Sequence, residues 1–283
     1  MQTAYDRRQL EQALVPYRKA GDSVALVPTM GGLHAGHMAL VQRAHQVADR
    51  VVVSLFVNPT QFAPDEDFET YPRSFEADRE RLLEAGTDVL FAPGEGVMYP
   101  DGEGAVAVDV DRVTQGLEGA SRPHFFTGVA TVVTKLLVAV NPDLAVFGKK
   151  DYQQLVMVRR LVRNLLFATR IEAVEIVREA DGLAVSSRNA YLSAGERAVA
   201  PGLYQALRHA AAEAREAGLD PEAVARVARR RIAEAGLEPE YAEVRRAGDL
   251  EAVTDLGGSR VLLAAAQLGS TRLIDNLEFG PAD

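Results

Sequence analysis

The stretch Val24-Ala25-Leu26-Val27-Pro28-Thr29-Met30-Gly31-Gly32-Leu33-His34-Ala35-Gly36-His37-Met38-Ala39-Leu40-Val41-Gln42-Arg43-Ala44 decides the fold of this chain. Its first four residues are a short apolar run, which predicts a buried strand. Residues 38–44 carry helical spacing. Three glycines and two histidines are therefore packed into a strand-to-helix turn. In an α/β protein such a turn presents backbone N–H groups and the positive end of a helix to a phosphate.

Working outward, apolar runs alternate with helical patterns over the first two-thirds of the chain. Strands are expected at 24–27, 51–57, 89–92, 145–147 and 173–177, and helices at 37–48, 75–85, 128–140 and 153–166. That alternation predicts a parallel sheet covered on both faces. With right-handed crossovers the sheet is doubly wound, and ligands bind at the carboxyl ends of its strands. Beyond Arg188 the texture changes. Alanine- and charge-rich segments at 193–218 and 221–235 predict amphipathic helices, followed by strands at 241–246, 260–267 and 271–279. The expected division is a Rossmann-like domain over 1–186 and a smaller α+β domain over 187–283 that closes over the site.

Composition bounds the function. At 283 residues, with 47% hydrophobic and 25% charged side chains, the chain reads as a globular protein of one large or two smaller domains. No apolar stretch reaches the ~18 residues of a membrane span. The start, MQTAYDRRQL, lacks the apolar core of a secretory signal, so the cytoplasm is the expected location. Cysteine is absent, which excludes disulfides, thiolate nucleophiles and cysteine-ligated metals. A net charge of −9, from 31 basic and 40 acidic residues, argues against a nucleic-acid partner. An anionic small molecule must then be captured by a local cluster of donors.

Four segments offer such donors. In His34-Ala35-Gly36-His37 the spacing puts both imidazoles on one side of a first helical turn, and Gly36 lets a ligand approach the backbone. Imidazoles donate hydrogen bonds as charge develops on phosphate. A surface pair or a zinc pair is the alternative, although no further zinc-ligand motif accompanies it. In Phe56-Val57-Asn58-Pro59-Thr60-Gln61-Phe62 the amides of Asn58 and Gln61 can orient a hydroxy-acid, or simply build an Asn-Pro turn. In Phe147-Gly148-Lys149-Lys150-Asp151-Tyr152-Gln153-Gln154 a lysine can meet an ATP phosphate, and Asp151 can cap the helix or orient that lysine. Gln154 follows one turn later on the same face. Ser186-Ser187-Arg188 offers two hydroxyls and a guanidinium fork, or an interdomain loop with capping residues. The four are expected to converge on one crevice. No Walker A or GxGxxG motif is present, which argues against kinases and dehydrogenases.

Taken together, these segments resemble the pantothenate synthetase family, nucleotidyltransferases with HIGH- and KMSKS-type motifs. The resemblance also takes in Tyr71-Pro72-Arg73, Val177-Arg178-Glu179-Ala180-Asp181-Gly182 and Leu273-Ile274-Asp275-Asn276. It implies an ATP-dependent ligation in which pantoate is activated as an adenylate and then joined to β-alanine. By position, ATP would be held by Pro28, Thr29, Met30, Gly31, Gly32, Leu33, His34, Ala35, Gly36 and His37. Gly148, Lys149, Lys150, Asp151, Val177, Val185, Ser186, Ser187 and Arg188 would complete that site. His37, His34, Lys150 and Arg188 would act on the reacting groups. Asn58, Gln61, Gln154 and Arg122 would bind substrate, Asp78 would bind Mg2+, and the protein would be a homodimer. A related nucleotidyltransferase for another small acid, or a non-catalytic nucleotide-binding module, remains the alternative.

The chain departs from the family pattern at one place. Family members often carry Arg-Pro-x-His-Phe, whereas this sequence reads Arg122-Pro123-His124-Phe125-Phe126. Phe125 thus takes the histidine position and His124 stands one residue early.

Overall fold

The computed structural model describes residues 1–64 and 66–280. Its strands are β1 (Gln2–Ala4), β2 (Val24–Thr29), β3 (Arg50–Leu55), β4 (Val89–Phe91), β5 (Leu144–Gly148), β6 (Arg170–Val174), β7 (Glu238–Arg246), β8 (Arg260–Leu268) and β9 (Thr271–Phe279). The helices are α1 (Arg7–Ala20), α2 (Ala35–Val47), α3 (Phe75–Glu84), α4 (Glu95–Met98), α5 (Glu118–Ser121), α6 (Phe125–Val140), α7 (Tyr152–Asn164), α8 (Ala194–Val199), α9 (Gly202–Ala217) and α10 (Pro221–Glu234). None of the described helices is long and apolar enough to cross a membrane.

The chain divides into two compact units, 1–149 with 157–175, and 150–156 with 176–283. The expected 186/187 boundary falls within the second of these. The first unit is built on a six-stranded sheet in the order β1-β4-β3-β2-β5-β6. Every pairing in it is parallel. Val24, Ala25, Leu26 and Val27 of β2 are all buried, as a strand covered on both faces requires. Ala25 and Val27 pack with Val41 and Ala44 of α2 and Leu82 of α3. Val24 and Leu26 point the other way, the side on which α1 and α6 lie against the strands and each other.

Strand order locates the site. The chain runs from β2 outward through β3 and β4, then returns to add β5 on the opposite side of β2. The reversal leaves a switch point at the carboxyl ends of β2 and β5, where ligands bind in open α/β sheets. The glycine- and histidine-rich turn follows β2, and the Lys149–Asp151 turn follows β5.

Several elements differ from the sequence expectation. β1 and α1 add to the expected elements. β6 lies at Arg170–Val174 rather than 173–177, because its register is set by pairing with β5 from Leu144↔Arg170 onward. The continuous helix expected over 193–218 breaks into α8 and α9 at Pro201, whose ring cannot continue the hydrogen-bond ladder. α6 starts at Phe125, before the expected 128.

The second unit holds a three-stranded antiparallel sheet in the order β7-β8-β9. Leu203 and Leu207 of α9 and Val224 and Ile232 of α10 bury against Leu262 and Phe279 of that sheet. An α+β unit results.

Candidate active site

After β2 the backbone turns through Gly31 (φ 92°) and Gly32 (φ 61°), conformations open to glycine at little cost. The carboxylate of Asp78, buried on α3, accepts the amide N–H groups of Gly32 and Leu33, each at 2.8 Å. Arg81, one turn further along α3, donates to the Leu33 carbonyl. One helix thus grips the loop through both its donors and its acceptor. The sequence predicted amide donors for phosphate in this turn. Two of them, at Gly32 and Leu33, are instead taken by Asp78.

The two histidines cap α2 reciprocally. Gly36 N–H donates to His34 Nδ1 at 3.1 Å, and His34 N–H donates to His37 Nδ1 at 3.3 Å. Their ring centroids lie 4.0 Å apart. With Nδ1 accepting in both neutral rings, the proton sits on Nε2. Each ring therefore carries an Nε2–H donor, and the helix end that aims it is built from the histidines themselves.

The segment after β3 places Asn58 and Gln61 together. Asn58, 1% exposed, donates through Nδ2 to Gln61 Oε1 at 3.1 Å and to the Gly128 carbonyl at 3.2 Å. Its Oδ1 accepts from the Tyr99 hydroxyl at 2.6 Å and from Thr60 Oγ1 at 3.0 Å. Gln61 Nε2 lies 3.1 Å from Met30 Sδ. Burial pushes the Tyr99 phenol above its ordinary range, so it stays protonated as a donor. Lys135 stands 4.0 Å over the Tyr99 ring and donates to the Met98 carbonyl; burial pulls its ammonium down.

Arg122 meets the same segment by donating to the Gln61 carbonyl at 3.1 Å. Its guanidinium also forks onto both oxygens of Glu66, at 2.7 and 2.5 Å, and lies 3.9 Å from the Phe125 ring centroid. Phe125, in the position of the family's histidine, is thus the flat surface under Arg122. His124 is the residue before α6, and its Nε2 is buried without a hydrogen-bond partner among the described residues.

In the second unit, Val185 N–H donates to the Val177 carbonyl at 2.9 Å, so the two expected ATP-site valines are cross-strand partners in a hairpin. Ser186 follows directly and caps the turn Ser187–Tyr191, its Oγ accepting from Arg188 N–H at 3.3 Å. Arg178, for which the sequence suggested no role, forks onto Asp275 at 2.6 and 2.8 Å and stacks 3.5 Å from the Tyr204 ring centroid. Burial pushes the Asp275 carboxyl up, against the pull of Arg178. Asn276 donates to the Lys150 carbonyl at 3.1 Å, while Lys150 Nζ lies 3.5 Å from Asp151. Gln154 is half-buried in the first turn of α7. Lys149, in the first unit, pairs with Glu175 at 2.5 Å.

Tyr99, Arg178, Asp275 and Asn276 escaped the sequence reading as functional supports. Only the resemblance across Val177-Arg178 and Asp275-Asn276 hinted at three of them.

A resident magnesium ion does not fit Asp78. Both its oxygens accept backbone N–H groups, and no group of three or more His, Asp or Glu among the described residues could hold a metal ion. The described side chains alone therefore build no magnesium cage, and an ion brought by a nucleotide would take most of its oxygen ligands from phosphate and water.

A six-stranded parallel sheet covered by helices, with a paired-histidine helix start at its switch point, defines a Rossmann-like α/β protein. A family profile described as pantoate-beta-alanine ligase matches residues 2–278. A pantothenate synthetase of Pseudomonas aeruginosa is 51% identical over 98% of both chains. The pantothenate synthetase structure of Thermus thermophilus aligns with a TM-score of 0.93 and 44% identity, covering 99% of this chain and all of the other. A pantoate-beta-alanine ligase of Francisella tularensis, complexed with beta-gamma ATP and beta-alanine, aligns over the whole of both chains at 32% identity and a TM-score of 0.83. The chain belongs to the pantoate–β-alanine ligase family.

Proposed function

We propose that this chain condenses pantoate with β-alanine in two steps, through pantoyl adenylate. A pantoate carboxylate oxygen first attacks the α-phosphorus of ATP. The bond from that phosphorus to the bridging oxygen breaks, and pyrophosphate leaves. The β-alanine amine then attacks the activated acyl carbon, the bond to AMP breaks, and one amine proton is released with pantothenate. The observation that supports this reading most is the reciprocally capped His34–His37 pair at the switch point of the sheet, in a chain matching the ligase family from residue 2 to 278.

Joining a carboxylate to a polyphosphate brings anions together, so donors must meet charge as it develops at phosphorus. We assign that work to the Nε2–H groups of His37 and His34, to the Lys150 ammonium and to the Arg188 guanidinium. Residues 28–37, Gly148, Lys149, Asp151, Val177, Val185, Ser186 and Ser187 complete the proposed ATP set. Gln61 and Gln154 orient pantoate through neutral hydrogen bonds, which hold the carboxylate without an ion pair that blunts its attack. Arg122 supports that subsite through the Gln61 carbonyl. Magnesium enters as the ATP chelate, on phosphate oxygens, with no side chain assigned to it. Closure of the domain at 187–283 over the adenylate would keep water from it. A homodimer in the cytoplasm belongs to the same reading, and light scattering of the purified chain tests the dimer.

The deciding experiment is AMP release with ATP, magnesium, pantoate and β-alanine, each omitted in turn. AMP formation that needs all of them supports the reading. Turnover with another acid and none with pantoate would overturn it.

A further inference from the structure

The hydrogen bonds around Asn58 have a fixed direction, and that direction starts from a backbone carbonyl. A peptide carbonyl can only accept, so the atom of Asn58 facing Gly128 O must be its amide nitrogen. The second hydrogen of that nitrogen goes to Gln61, so the facing atom of Gln61 must be its oxygen. Gln61 is thereby left with its NH2 group to present, beside the weakly accepting sulfur of Met30. Tyr99 and Thr60 fill the two acceptor positions of Asn58 Oδ1, so all four hydrogen-bonding positions of this buried amide are used. Asn58 has nothing left for a substrate.

Gly128 makes the arrangement possible. A Cβ at this position would overlap the Thr60 carbonyl and lie 2.8 Å from Gln61 N. The missing side chain lets α6 lie against the Pro59–Gln61 turn, which brings its carbonyl to Asn58.

We propose that Tyr99 and Asn58 are positioning residues that fix Gln61 as a hydrogen-bond donor, and that this polarity selects substrates presenting oxygen acceptors at that subsite. The inference rests on the proposed contact between Gln61 and pantoate. An acid with carboxylate and hydroxyl oxygens satisfies a donor amide, whereas an analogue presenting an amino group there meets a second donor. Tyr99→Phe removes the hydroxyl that anchors Asn58 Oδ1 and leaves the aromatic body in place. Its effect should pass through Gln61, not through general packing.

The test is a double-mutant cycle on the full chain, read as kcat/KM for pantoate and KM for ATP. Tyr99→Phe is expected to lower kcat/KM for pantoate about tenfold, the scale of one well-placed hydrogen bond, with KM for ATP within about twofold of the parent. In a Gln61→Ala background the same substitution should cost less than about twofold more, because the amide it positions is gone. Asn58→Asp, which has no amide donor for either Gly128 O or Gln61 Oε1, should show a larger pantoate defect than Tyr99→Phe. Additive effects of Tyr99→Phe and Gln61→Ala would overturn the relay while leaving the pantoate contact standing. An unchanged pantoate constant in Gln61→Ala itself would overturn that contact, and the relay with it.

Discussion

Arg178 and Asp275 form a bidentate ion pair whose carboxylate is 3% exposed, with nitrogen–oxygen distances of 2.6 and 2.8 Å. It links the hairpin before the Ser186–Arg188 loop to the last strand of the chain. Removing the arginine leaves that carboxylate buried and uncompensated. Arg178→Ala is therefore expected to destabilise the protein by about 3–5 kcal/mol. Denaturant unfolding checks this, and a midpoint equal to the parent's would refute it.

Asp78 leads to a prediction that separates gripping a loop from binding a metal. Asp78→Asn puts an NH2 group opposite one of two amide donors, so the Gly32–Leu33 loop loses a charge-assisted hydrogen bond worth roughly 1.5–3 kcal/mol. Turnover should fall about tenfold or more, while the magnesium concentration for half-maximal rate stays where it is. Recovery of full activity at raised magnesium would instead make Asp78 a metal ligand.

His37→Ala and Lys150→Ala are each expected to lower kcat by ~10²-fold or more, the scale for losing a donor to developing charge. For His37 a second effect accompanies the first. His34 N–H loses its acceptor, so the start of α2 is weakened as well. A turnover near the parent's in either variant removes that residue from the proposed mechanism.

The arginine-aromatic contact near the start of α6 bears on the departure from the family pattern. Phe125 serves Arg122 as a flat face at 3.9 Å, and an imidazole offers a face too. Phe125→His should keep kcat/KM within about tenfold of the parent, because the Glu66 and Gln61 contacts of Arg122 remain. Steady-state kinetics would sink this expectation by showing an inactive variant.

Acid stability has a local reporter at the starts of β2 and β3. The Ser23 hydroxyl, then the Ser23 amide, hold the exposed Asp49 carboxyl below its ordinary value. A carboxyl lowered on folding stabilises the fold fully above its unfolded pKa, and the contribution is lost as pH falls through the lowered value. Asp49→Asn should therefore lower Tm near neutral pH, with the difference shrinking below about pH 4. A difference that is constant with pH contradicts the assignment.

What could be read from the sequence follows from how local each signal is. β2 and the helix after it announce themselves by an apolar run, glycines and helical spacing within one short stretch. β1 has only three residues, and α1 carries Pro16 in its interior, which reads locally as a helix breaker. β6 is half-buried and finds its register from β5, which composition does not encode. At the site, the His34–His37 spacing puts both imidazoles on one side of the helix start, where their ring centroids lie 4.0 Å apart. The grip of Asp78 on Gly32 and Leu33 joins residues 46 and 45 positions apart, with no periodicity to link them. The bonds of Asn58 to Tyr99 and Gly128 reach far along the chain, and its local sequence carries no sign of them.

The bond from Asn276 to the Lys150 carbonyl concerns the order in which the protein becomes competent. The backbone of the lysine assigned to the phosphates is tied to a residue in the last strand of this 283-residue sequence, next to the aspartate that anchors Arg178. During synthesis the glycine–histidine turn and most of the parallel sheet emerge long before this tie can form. A chain ending early would keep its proposed imidazole donors yet lose the support of its lysine. Competence is thus acquired only once β9 has been made, and truncations short of residue 275 should yield no graded series of partly active products.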